Sequence, residues 1–232
     1  MDYLFEALPP MQAKRVAFAI GRFNPPTEGH YRVINKLKEF IRKNPELNLE
    51  ASPVIVVVTG EKSSLDKTKN PLSADDRISF MKASGRANGV IFLTAKNGSI
   101  ALGIMRDNGY EPIAIGAGSD RAQGYLTLLK KSFFKPNGSE LDHTIVPGLA
   151  RSDDAVATKK SDKETALNLT LDKMKAEHEL SPEDISSSLA RRAVELGYLE
   201  EFTQIVGLQN KPKLAKLMFD KIKKAIGGQI DG

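Results

Sequence analysis

The chain has 232 residues, 41% hydrophobic and 27% charged, which suits one α/β domain with additions. It has no cysteine, which excludes a disulfide framework and a thiolate metal site, and no apolar run reaches the ~20 residues of a membrane span. The net charge of +5 and pI near 9.2 suit a polyanionic ligand, nucleotide or nucleic acid, without choosing between them. Met1, Asp2 and Tyr3 begin a stretch lacking the basic region and long apolar core of a secretion signal, so a cytoplasmic protein is expected. Leu4, Phe5, Leu8 and Met11 predict a peripheral arm or short helix.

Val16 to Ile20 reads as a buried strand, and Val33, Ile34, Leu37, Phe40 and Ile41 have the spacing of a one-sided helix. Between them lies a stiff turn with two prolines, and Thr27 is a natural N-cap. A helix start at the end of a strand attracts phosphate through unpaired N–H groups and the positive end of its dipole. Thr27 and His30 share one face of the first turn, and Gly29 removes a side chain where a ligand could approach. Pro53 to Thr59 predicts a strand covered on both faces, and Gly60 to Asn70 a polar loop. Ser73 to Asp76 is a capping box opening a helix with Ile78, Phe80 and Met81. Gly89–Leu93, Pro112–Ile115 and His143–Val146 predict further strands, and helices are expected at Ile100–Met105 and around Ala122–Ser132. Asn97 and Asn137 stand in glycosylation-type triplets and read as turns. The alternation predicts a Rossmann-like five-stranded parallel sheet with helices on both faces, its ligand at the carboxyl ends of the strands.

Residues 151–180 break the pattern: Arg151 to Lys163 reads as an exposed charged loop, and Leu167, Leu169, Leu171 and Met174 as a helix. Ser181-Pro182-Glu183-Asp184 predicts a helix start, Phe202–Gly207 a turn. Lys213–Ile226 predicts a last helix with Leu214, Leu217, Met218, Ile222 and Ile226 inward and a solvated lysine face. A nucleic-acid partner is not expected, because Phe219 is the sole aromatic among those lysines. The division is thus a core at 1–150, a charged insertion at 151–180, and a C-terminal helical part at 181–232 that completes the site.

Gly21-Arg22-Phe23-Asn24-Pro25-Pro26-Thr27-Glu28-Gly29-His30 resembles the first signature of the nucleotidyltransferase superfamily, whose members carry a His/Thr-x-Gly-His turn. Its Gly-Arg-Phe opening is similar to one nicotinamide-nucleotide adenylyltransferase branch and to cytidylyltransferase-like proteins of tailed phages. Ile185-Ser186-Ser187-Ser188-Leu189-Ala190-Arg191 resembles the superfamily's second signature, in which hydroxyls, backbone N–H groups and an arginine at a helix start hold the β- and γ-phosphates. One continuous helix from Ser181 would instead leave Ser186, Ser187 and Ser188 in mid-helix, and both readings stand. Asn70-Pro71-Leu72, leading to Arg77, resembles an acceptor-side segment of the same branch; a plain capping box with a surface arginine is the alternative. Gly116-Ala117-Gly118-Ser119-Asp120 is similar to the superfamily's Gly-x-Asp turn near the nucleotide.

The resemblance implies transfer of a nucleotidyl group from ATP, or CTP, to a small phosphorylated acceptor, with nicotinamide mononucleotide favoured. Pantetheine-phosphate adenylyltransferase, a cytidylyltransferase and a silent virion-associated binding protein are the other readings. It implies catalytic roles for Thr27, His30 and Arg191, nucleotide contacts from Gly21, Arg22, Phe23, Gly29, Gly116, Ser119, Asp120 and Ser186–Ser188, and acceptor contacts from Asn70 and Arg77. Mg²⁺ is implied as cofactor without a protein metal site, and homo-oligomerisation is left open.

Overall fold

The computed structural model describes residues 13–60, 66–117, 124, 127, 144–147, 160–177, 181–182 and 184–227. In chain order these form β1 (Lys14–Gly21), α1 (Glu28–Lys43), β2 (Val54–Val58), α2 (Ala74–Ala83), β3 (Ile91–Ala95), α3 (Gly98–Asp107), β4 (Tyr110–Ala117) and β5 (Thr144–Pro147). There follow α4 (Lys160–Glu177), α5 (Ser187–Glu195), α6 (Leu199–Ile205) and α7 (Pro212–Gly227). The strands are parallel in the order β3-β2-β1-β4-β5, with the four-residue β5 joining at the β4 edge. The winding runs from β1 outward to β3, then crosses back to β4 on the other side of β1. The switch point therefore lies at the carboxyl end of β1, where Gly21 leads into the proline turn.

The continuous apolar strands are explained by cover on both faces. Val16, Phe18 and Ile20 pack with Ala101, Leu102 and Met105 of α3, whereas Ala17 and Ala19 face Tyr31, Ile34 and Leu37 of α1. The small residues on the second side let α1 come close to the sheet. At Gly116 a Cβ would lie 2.9 Å from Val33 Cγ1 and 3.1 Å from Leu37, so that glycine lets α1 seat over β4. This tight seat fixes where the first turn of α1 stands above β1.

A separate core joins α4 to α7. Leu171 and Met174 of α4 meet Leu189 and Val194 of α5, Phe202 of α6 and Met218 and Phe219 of α7. Leu72 and Phe80 from the α2 region enter the same cluster, so the C-terminal helices are docked on the sheet domain.

The helix expected from Leu167 to Met174 is present and packs Leu171 and Met174 into the C-terminal core. Several expectations need correction: this helix runs over 160–177 and so begins inside the stretch expected as a charged loop, and Leu169 is 64% exposed. Residues 199–205 form a helix with Phe202 and Ile205 buried, where a turn was expected. Of the two readings of residues 181–191, the structure has the second signature at a helix start: Asp184 N–H to Ser181 O at 3.0 Å closes only a turn, and the helix starts at Ser187. In α7 the buried face is Ala215, Met218, Phe219 and Ile222, while Leu217 is 59% exposed on the opposite side. The expected N-terminal arm lies outside the described residues. So does the helix around 122–132, apart from Gly124 and Thr127, which are helical.

Candidate active site

The turn leaving β1 is held from all sides by other elements. Phe23 is buried with φ +52°, a left-handed conformation that bulky residues rarely adopt. Its ring takes the space beside Gly21, where a Cβ would meet the ring at 3.0 Å. Asn24 is buried and pairs like a strand partner with Leu72: Nδ2 donates to Leu72 O at 3.0 Å, and Oδ1 accepts from Leu72 N–H at 3.2 Å. Arg77 of α2 is 2% exposed and donates to the carbonyls of Ser73 (3.0 Å), Val58 (3.0 Å) and Arg22. Its guanidinium thereby ties the ends of β1 and β2 to the start of α2.

Beyond this turn Thr27 caps α1 with extended backbone, and His30 is the third helical residue. Thr27 N–H donates to His30 Nδ1 at 3.0 Å, and Thr27 Oγ1 stands 2.9 Å from the same nitrogen. An amide donor on Nδ1 makes that atom an acceptor, so the neutral ring carries its proton on Nε2. The Phe23 ring, tilted at 4.8 Å between centroids, sets the imidazole's orientation. His30 is thus built as an N–H donor, suited to an oxygen on which negative charge develops.

The second half of the site comes from α5. Ser186 is its N-cap, with Oγ accepting from Leu189 N–H at 3.1 Å. Ser187 Oγ donates to Pro25 O at 2.9 Å, and Arg191 donates to Asn24 O at 2.6 Å and to Ser188 Oγ at 3.2 Å. A Cβ on Gly29 would stand 3.7 Å from Ile185, so the two segments are packed together there. Two helix starts, those of α1 and α5, therefore share one proline turn. Arg22 is exposed beside them. Burial pushes both Arg77 and Arg191 down to about 10, and the positive charge of Arg22 pushes in the same direction. Asp76 opposes the effect at Arg77, and Glu195 and Asp66 oppose it at Arg191. A crowded, half-desolvated group of cations gains from a polyanion that would restore their charge balance.

Glu28, between Thr27 and Gly29, is held by Arg86 from the loop after α2. Arg86 Nη2 donates to Glu28 Oε1 at 2.8 Å, Nη1 meets Oε2, and the guanidinium lies 4.6 Å from the Tyr31 ring centroid. The same Nη1 donates to Gly207 O at 3.3 Å.

Residues 18–193 match the family described as cytidylyltransferase-like. The chain belongs to the cytidylyltransferase-like family. Among solved structures, the cytidylyltransferase-like chain is similar to one described as a macrolide-efflux protein from Streptococcus pneumoniae. That likeness has 16% identity and a TM-score of 0.47, and covers 84% of this chain and 55% of the other. The chain thus spans about half the length of that structure. No curated protein matches it.

In this cytidylyltransferase-like chain the expected residues fall into three groups. Gly21, Arg22, Phe23, Thr27, Gly29, His30, Ser186–Ser188 and Arg191 come together around the proline turn. Arg77, expected at an acceptor, is buried, with Nε and Nη1 donating to backbone carbonyls. Gly116, expected at the nucleotide, is accounted for by the packing of α1. Asn70 is buried, with its N–H donating to Asp66 O at 2.9 Å. Ser119 and Asp120 lie outside the described residues. Arg192, next to Arg191, bonds Asn168 and Glu195, both at 2.8 Å, and so serves the helical core. Sequence reasoning missed Asn24, Arg86 and Gly207. Of these only Asn24, inside the first signature, carried any local signal. Among the described residues no group of three or more His, Asp or Glu could hold a metal ion, and no helix is long and apolar enough to cross a membrane.

Proposed function

We propose that the chain transfers a nucleotidyl group from ATP to a small phosphate-bearing acceptor, with nicotinamide mononucleotide the first choice, and releases pyrophosphate. The observation that carries this reading is the junction of α5 with the proline turn, where Ser187 and Arg191 bond the carbonyls of Pro25 and Asn24. It gathers Thr27, His30, Arg22 and two helix starts into one anion-seeking corner.

The acceptor phosphate is already ionised, so no strong general base is required, and positioning with charge neutralisation suffices. An acceptor oxygen forms a bond to the α-phosphorus. The bond from that phosphorus to the bridging oxygen breaks, and pyrophosphate leaves with the electron pair. His30 donates from Nε2 to an α-phosphate oxygen, its ring held by Thr27 and Phe23. Arg22, Arg191 and the N–H groups opening α5 take the β- and γ-phosphates. Mg²⁺ would enter on the triphosphate as part of the substrate, where it neutralises phosphate charge.

The family's description favours a second reading in which CTP is the donor. A pyrophosphate-release screen with ATP and CTP against nicotinamide mononucleotide, phosphopantetheine and glycerol phosphate tests both. Turnover with ATP and nicotinamide mononucleotide is expected. Turnover with CTP alone would replace the donor, and silence with every pair would favour a non-catalytic binding protein.

A further inference from the structure

We propose that Arg86 is a positioning residue for the transfer step, setting His30 against the C-terminal helices; this rests on the transferase reading above. One guanidinium makes three kinds of contact at once. It grips both oxygens of Glu28 in the first turn of α1, covers the ring of Tyr31 one residue after His30, and donates to the carbonyl of Gly207 between α6 and α7. The Gly207 side has no slack. Its φ is +67°, and a Cβ there would fall on Glu28 Oε2 and Arg86 Nη1. Beside it Lys211 Nζ donates to Ala83 O at 2.8 Å, a second tie, from the same loop to the end of α2.

The consequence is geometric. Glu28 stands two residues before His30, and Gly207 belongs to the helical part that supplies Ser187 and Arg191. Arg86 therefore connects the two halves of the corner through Glu28 and Gly207, as Arg191 does through Asn24. An exposed ion pair would contribute little, but this one is bidentate, stacked on an aromatic face and only 27% and 19% exposed at its two side chains. Lysine has neither the fork nor the planar face, so it cannot replace it.

The test pairs activity with a readout that needs none: the ring ¹⁵N signals of His30, assigned with His30→Gln, in wild type, Arg86→Met and Arg86→Lys. Wild type is expected to show an unprotonated Nδ1 and a protonated Nε2. Both variants are expected to lose that fixed tautomer signature. Turnover is expected to fall ~10²-fold, the scale of a small misplacement, with triphosphate affinity within about 3-fold. In a His30→Ala background Arg86→Met should add no further loss. An unchanged His30 signature in folded Arg86→Lys, or additive losses in the double variant, overturns the proposal. Should Arg86→Met fail to fold, Arg86→Lys carries the measurement. A silent wild type sinks the transferase reading alone, and the His30 signals still decide whether Arg86 positions the ring.

Discussion

Arg191 donates from Nη1 to the carbonyl of Asn24 at 2.6 Å, across 167 residues of chain. The bond makes one arginine both a docking contact and a candidate phosphate ligand. Arg191→Lys removes the planar fork while leaving a charge. We expect a stability loss of about 1.5–3 kcal/mol, the range for a hydrogen bond to a charged group. Urea unfolding measures this. Titration with ATP should show weaker triphosphate binding in the same variant, and unchanged values in both would refute the double role.

His30→Ala removes the proposed N–H donor without touching the sheet. Turnover is expected to fall ~10²-fold or more. Losing the partner of the Thr27 amide should cost about 1 kcal/mol, as for a helix cap. Steady-state kinetics beside a thermal melt separates the two, and full activity would remove His30 from the mechanism.

Arg77→Met would leave the carbonyls of Ser73, Val58 and Arg22 without their shared donor. Ser73 O keeps the Arg77 backbone N–H at 3.1 Å, and each lost hydrogen bond from the charged guanidinium costs about 1.5–3 kcal/mol, so a clear fall in the unfolding midpoint is expected. A variant that folds with normal stability but has a raised KM for the acceptor alone would return Arg77 to the acceptor site.

Glu28 gives a pH signature. Its hydrogen bond to Arg86 holds the carboxyl below its ordinary value of 4.5. A depressed carboxyl stabilises the fold above that value, and the contribution is lost as pH falls through the folded-state value. Glu28→Gln should therefore be less stable than wild type at neutral pH. The gap should narrow as both are acidified below 4.5. Melting curves across that range check it, and a gap that widens in acid would contradict the ion pair.

Gly116→Ala distinguishes packing from ligand contact. A new Cβ must push Val33 and Leu37 from the sheet, which should cost about 1–3 kcal/mol. Nucleotide affinity of the folded protein should be unaltered. Weaker binding with unchanged stability would restore the nucleotide role.

What the sequence revealed was local. β-branched runs marked β2, Ser73 with Asp76 marked the start of α2, and Thr27 marked α1, because strands and caps are set by neighbouring residues. The start of α5, for which two readings stood, shows the limit. Ser181-Pro182 has good starting chemistry, but Ser187 reaches the Pro25 carbonyl only from a helix opening after Ser186, a demand made 162 residues away. α4 was half hidden because Leu171 and Met174 face helices that lie later in the chain, amid lysines and acids that mimic a solvated loop. Arg77 and Arg86 were illegible as struts, since their partners leave no periodic trace.

The pairing of Asn24 with Leu72 is asymmetric in what it demands of each position. At 72 the bond uses only the peptide group, which every residue except proline supplies, so drift there is limited by the apolar cluster alone. At 24 the primary amide itself is required. Aspartate would turn a donor into a second acceptor against the Leu72 carbonyl, and glutamine would overshoot by a methylene. Homologues that keep this bridge should therefore hold asparagine fixed at one end while the other end wanders among apolar side chains.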